Sequence, residues 1–141
     1  MTIKQLSVFL ENEPGKLAEF ATVLSKQNIN LRSITVAEAP DFGVVRIIVD
    51  DTLNAATLLR SENYVCSVTD VLAIEVQDKP GMMADMIATL GNEGINIDYM
   101  YTILGKKKDV AYMIIRVDNN DKAASILNAK GFITSSIDEM N

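Results

Sequence analysis

One six-residue pattern, written twice, constrains this chain more than any other feature. Glu13-Pro14-Gly15-Lys16-Leu17-Ala18 is echoed by Lys79-Pro80-Gly81-Met82-Met83-Ala84, 66 positions later. The same spacing carries Asn28-Ile29-Asn30-Leu31 onto Gly94-Ile95-Asn96-Ile97. Further along, Asp50, Ala55, Ala56 and Leu59 return as Asp118, Ala123, Ala124 and Leu127 at a spacing of 68, which places two extra residues in the second copy, around Gly105. Self-similarity at a fixed period means repeated structural units. The 141 residues therefore divide into two units, expected at 1–70 and 71–141. Units of about 70 residues lie near the lower limit for a self-sufficient core.

Hydrophobic periodicity changes in the same way within each copy. Leu6, Val8 and Leu10 alternate, the mark of a half-buried strand. After Pro14-Gly15 the period becomes helical, with Leu17, Phe20, Ala21 and Leu24 at i, i+3, i+4 and i+7, and with Met83, Met86, Ile87 and Leu90 in the copy. Proline is tolerated at the first position of a helix, where its missing N–H has no intrahelical partner, and Gly94 is placed to end the second helix. Strands are expected at 30–39 and 44–50, then at 96–104 and 110–117, joined by Pro40-Asp41-Phe42-Gly43 and Gly105-Lys106-Lys107-Lys108-Asp109. A short helix bearing Leu58 and Leu59, or Ile126 and Leu127, precedes a last strand at 64–69 or 132–137. The order strand-helix-strand-strand-helix-strand, twice, is the ferredoxin-like plan. The fold class expected is α+β, with two antiparallel sheets each carrying its helices on one face. Only Thr69-Asp70 separates the units, so a fixed packing is expected rather than a flexible linker.

Composition excludes several chemistries. There is no histidine, and Cys66 is the one cysteine, so Ser-His-Asp and Cys-His catalysis, His-based metal sites and internal disulfides are ruled out. No Walker or dinucleotide-type glycine loop occurs, and no cofactor or catalytic residue is assigned. A net charge of −6 argues against nucleic acid and anionic membranes as partners. Lys106-Lys107-Lys108 reads as a solvated hairpin tip. Apolar runs fall short of the roughly 20 residues that cross a bilayer, and Met1-Thr2-Ile3-Lys4-Gln5 lacks the features of a signal peptide. A cytoplasmic location is expected.

The run Leu10-Glu11-Asn12-Glu13-Pro14-Gly15-Lys16-Leu17, followed by a helix and Asn28-Ile29-Asn30-Leu31, resembles the signature of ACT domains. The second unit matches with Val76-Gln77-Asp78-Lys79-Pro80-Gly81-Met82-Met83 and Gly94-Ile95-Asn96-Ile97. Both units are used by the resemblance, as in stand-alone tandem ACT proteins. It implies a non-catalytic regulatory protein that binds a free amino acid at an interface between paired ACT domains, with a homodimer and an enzyme of amino-acid metabolism as partners. The alternative is a structural or regulatory subunit that binds such an enzyme with no ligand of its own.

The resemblance also places candidate ligand contacts at Asn12, Gly15 and Asn30, and at Asp78, Gly81 and Asn96. Helix N-termini, with unpaired backbone N–H groups and a partial positive charge, favour a carboxylate, and glycine lets a ligand approach the backbone. Asp78 suits an ammonium group, whereas amides at Asn12, Asn30 and Asn96 both donate and accept. The same residues also serve plain structural ends, as turn initiators or local caps, and both readings stand at this point. Leu10 and Val76 occupy a position that is polar in some ACT domains, which favours an apolar ligand side chain. The Asn12/Asp78 difference makes the two units unequal.

Overall fold

A computed structural model describes residues 1–140. Its elements are β1 (Ile3–Glu11), α1 (Lys16–Lys26), β2 (Leu31–Glu38), β3 (Phe42–Val49), α2 (Thr52–Ser61), β4 (Val65–Gln77), α3 (Met82–Asn92), β5 (Tyr99–Ile103), β6 (Val110–Arg116), α4 (Asn120–Ala129) and β7 (Ile133–Thr134), closed by a 3-10 turn at Asp138–Met140. The chain divides into two compact units, Lys4–Thr69 and Asp70–Asn141 with Met1–Ile3. Strand-helix-strand-strand-helix-strand is written twice, on antiparallel sheets, and the fold is ferredoxin-like.

In the first unit β3 lies between β1 and β2, with Leu6 opposite Ile47 and Ile34 opposite Ile47 from the other side. Alternate residues Leu6, Val8 and Leu10 and Val45, Ile47 and Val49 meet Phe20 and Leu24 of α1 and Ala55, Ala56 and Leu59 of α2 in one buried cluster. Both helices thus cover the same face. The second unit repeats the plan: Leu72, Ile74 and Val76 with Met113, Ile115 and Val117 receive Met86 and Leu90 of α3 and Ala123 and Leu127 of α4.

All four helices end in the same way. The residue after each C-cap has positive φ: Asn28 (55°), Asn63 (69°), Gly94 (76°) and Gly131 (88°). The next N–H reaches back to the carbonyl at C3, as in Ile29 to Leu24 (3.0 Å) and Ile95 to Leu90 (3.0 Å). This is the Schellman motif, and the two residues it joins belong to the same apolar cluster in every case. Helix starts differ between the pairs. Asp51 caps α2 by accepting from the Asn54 N–H at 3.1 Å, and Asn119 caps α4 by accepting from Lys122 N–H at 3.0 Å. Asp51→Ala and Asn119→Ala are each expected to cost about 1 kcal/mol in urea unfolding.

Three expectations need correction. No break occurs at Thr69-Asp70: β4 continues through them for 13 residues, because neither residue stops an extended chain. The strand expected at 96–104 shortens to Tyr99–Ile103. The final strand expected at 132–137 keeps only Ile133–Thr134, paired with β4. Beyond it, Ser136 and Glu139 form a reciprocal capping box, with Glu139 N–H donating to Ser136 Oγ (3.2 Å) and Ser136 N–H donating to Glu139 Oε2 (3.3 Å). That Ser-x-x-Glu pattern turns the chain out of the sheet.

Candidate functional site

The two Pro-Gly steps are turns rather than first helical residues. Gly15 (φ 86°, ψ −15°) and Gly81 (φ 91°, ψ −19°) are left-handed N-caps. Lys16 N–H donates to Glu13 C=O and Met82 N–H to Lys79 C=O, both at 3.3 Å. Proline followed by a glycine of these angles, closed by an i to i+3 bond, is a type II turn. Glycine is needed because other residues are strained at such φ. A Cβ at either position would meet nothing within 4 Å, so the space beside each turn is open.

No side chain caps α1 or α3, unlike α2 and α4. Backbone N–H groups in their first turns therefore keep their donor capacity and the positive end of the helix dipole. Asn12 stands exposed before the first turn and its amide Nδ2 donates to the Ala39 carbonyl at 3.5 Å. Asp78 is exposed in the equivalent place, held by its backbone N–H on the Asp109 carbonyl at 2.9 Å. Asn30 is exposed just before β2 and borders a depression of about 400 Å³ with Ala21, Leu24, Ser25, Asn28, Ile29 and Leu31. Asn96, also exposed, donates its amide to Asp98 Oδ1 at 3.1 Å.

Register decides which of these residues meet. Glu11 lies opposite Phe42 at one end of β3, whereas Leu31 lies opposite Val49 at the other. Seven residues of strand, about 23 Å at 3.3 Å each, separate the level of Asn12 from that of Asn30. In the second unit Gln77 is opposite Val110, while Asp98 N–H bonds to the Arg116 carbonyl, six residues on along β6. Within a unit, Asn12 and Gly15 stand together and Asn30 stands apart. Asp78 and Gly81 are likewise remote from Asn96. No single unit gathers its three residues around one small molecule.

Other features are accounted for locally. Lys107 Nζ donates to Glu75 Oε1 at 2.6 Å, which raises the lysine pKa. Tyr99 and Tyr101 stack with centroids 6.4 Å apart. No group of His, Cys, Asp or Glu able to hold a metal occurs among the described residues. Two hollows of the second unit were not foreseen from sequence, one of about 570 Å³ between α3 and α4 and one of about 420 Å³ bordered by Lys107, Lys130 and Phe132. They are made by residues distant in sequence, with no motif to announce them.

A family described as the ACT domain pair matches residues 1–139. This chain belongs to that family. The Pro-Gly turns and the helices they open are thus those of two ACT domains. Among solved structures, protein BT0572 from Bacteroides thetaiotaomicron is 38% identical, with TM-score 0.90 and coverage of 99% of this chain and 96% of that one. The regulatory subunit of aspartate kinase from Thermus thermophilus shares the fold at 16% identity and TM-score 0.64, covering 89% and 90%. Its counterpart from Thermus flavus gives 15% identity, TM-score 0.61 and 90% of each chain. No curated protein matches. No helix is long and apolar enough to cross a membrane among the described residues.

Proposed function

We propose that this ACT protein is a non-catalytic cytoplasmic regulator, with one domain in residues 1–70 and another in 71–141, that binds a free amino acid where two ACT domains meet. The observation that carries this is the repeated type II turn opening an uncapped helix, with open space at Gly15 and Gly81. Free N–H donors suit the carboxylate of an amino acid, and a neighbouring Asn12 or Asp78 suits its ammonium group. The separation of Asn12 from Asn30 within a domain supports a site shared by two domains, since one small zwitterion is far shorter than about 23 Å of strand. The partner is an enzyme of amino-acid metabolism, a reading supported by likeness of fold to an aspartate kinase regulatory subunit. The protein acts as a homodimer. Ligand binding changes the balance between packings of the paired domains, and thereby what the protein presents to its partner.

The test is thermal unfolding against all twenty amino acids at millimolar concentration. A ligand at 100 times its dissociation constant stabilises by about 2.7 kcal/mol, which is a shift of about 5 to 11 °C for a chain of this size. The expected result is a shift from one amino acid or a few related ones, lost in Asn30→Ala or Asn96→Ala proteins that unfold normally without ligand. A flat panel overturns the sensor reading and leaves a subunit that binds its enzyme independently of any ligand.

A further inference from the structure

We propose that the hollow beside the end of β4, in the second unit, binds a small monocarboxylate with an apolar tail. Its volume of about 420 Å³ falls among small-molecule sites, which run from about 300 to 1,000 Å³. None of Asp78, Gly81 and Asn96 borders it, so it is separate from the amino-acid site proposed above.

Strand register supplies one donor. Successive residues of an antiparallel strand turn their N–H and C=O groups to alternate sides. Asp78 N–H donates to the Asp109 carbonyl beside β6, whereas the Ala73 carbonyl accepts from Ser135 N–H just beyond β7. Gln77 therefore directs its N–H to the β7 side. There β4 outruns its neighbour, because Glu75 faces Ile133, the first residue of β7, and no strand lies opposite Gln77. Gly131, next in that direction, gives its own N–H to the Asn128 carbonyl at 3.0 Å. Gln77 and Gly131 both border the hollow, which opens at this gap.

Lys130 supplies the charge. It stands at the end of α4, and its ammonium meets no carboxylate among the described residues. Lys107 borders the same hollow but is already matched by Glu75 at 2.6 Å. The lining thus carries one unmatched positive charge, which suits a carboxylate better than a dianion. One ammonium and one backbone N–H serve the two carboxylate oxygens. Met82, Val110, Phe132 and Ile133 supply apolar wall for the tail. At the corresponding positions of the first unit, Glu11 replaces Gln77 and Glu62 replaces Lys130. Acidic side chains there repel a carboxylate, so the site belongs to the second unit alone.

NMR titration of the isotope-labelled protein with hexanoate, hexylammonium or sulfate reads the site. Hexanoate at millimolar concentration is expected to shift the Gln77, Val110 and Gly131 amides until they saturate. Hexylammonium, with the same tail and opposite charge, and sulfate, a dianion with no tail, are expected to leave them in place. Lys130→Gln should weaken hexanoate by at least about tenfold, the loss of one charge-assisted hydrogen bond, with the rest of the spectrum unchanged. Glu75→Gln frees the Lys107 ammonium, so it should tighten hexanoate and admit sulfate. Sulfate binding as tightly as hexanoate to the unaltered protein overturns the proposal, as does hexanoate binding that Lys130→Gln leaves untouched. A hexanoate titration without shifts overturns it too. So do shifts confined to the Asp78, Gly81 and Asn96 amides, which would place the carboxylate in the amino-acid site instead.

Discussion

Phe20→Ala is expected to destabilise the first unit by about 3 to 5 kcal/mol, whereas Leu17→Ala, one turn earlier, should change stability by less than about 0.5 kcal/mol. Both residues lie on the apolar stripe of α1, yet Phe20 is fully buried and Leu17 is 42% exposed. The Phe20 ring packs edge-on against Tyr64, with centroids 5.7 Å apart, inside the cluster formed with Leu6, Val8, Leu24 and Ile47. Truncation removes the apolar area and leaves a cavity between helix and sheet, where β1 and β3 are fixed by their ladder. A small domain holds only about 5 to 15 kcal/mol in all, so this one change removes a large share. Urea unfolding followed by circular dichroism measures both variants. Equal costs at the two positions would show that the stripe, rather than its buried half, holds the helix down.

That contrast marks how far the sequence reads. Period 3.6 located α1 and α3, but Leu17, Met83 and Ile87 on their stripes remain exposed, because the sheet beneath accepts only Phe20 and Leu24, or Met86 and Leu90. Local chemistry was legible wherever a short pattern determined it. Pro-Gly was readable as the start of a helix, though the closing bond makes it a type II turn ahead of the helix. Gly94 was readable as a helix stop, whereas Asn28 and Asn63 make the same left-handed stop without glycine's signal. The site divides along the same line. Asn12, Gly15, Asp78 and Gly81 lie at the two turns and Asn30 directly before β2, whereas Asn96 lies three residues ahead of β5, short of the strand entry its motif implied. Their distance apart is a matter of strand register, which pairs residues far apart in sequence, and no local pattern encodes it. Only the ladder through β3 shows that Asn12 and Asn30 sit at opposite ends.

Gly105→Ala is expected to cost about 1 to 3 kcal/mol, for a reason unlike that at Gly15 or Gly81. Gly105 has no left-handed backbone to protect; its constraint is contact. A Cβ there would lie 2.3 Å and 2.6 Å from Cε2 and Cδ2 of the Tyr112 ring and 3.2 Å from the Met140 carbonyl oxygen. Tyr112 is 2% exposed, and burial, with Glu75 opposite, holds its phenol pKa above the usual value. A ring so enclosed has no room to step aside. The added methyl must displace either the ring or the β5–β6 connection, and the second course strains the bond from Lys106 N–H to the Met140 carbonyl at 3.1 Å. Tyr112→Leu removes the offending ring edge, so Gly105→Ala in that background should cost less, with a coupling of about 0.5 to 3 kcal/mol in a double-mutant cycle. Gly91→Ala serves as the control: Gly91 is helical, its Cβ would meet nothing within 4 Å, and its φ is unexceptional. It should stabilise by about 0.5 to 1 kcal/mol. Additive costs for Gly105→Ala and Tyr112→Leu would mean that the glycine is required by something other than the ring.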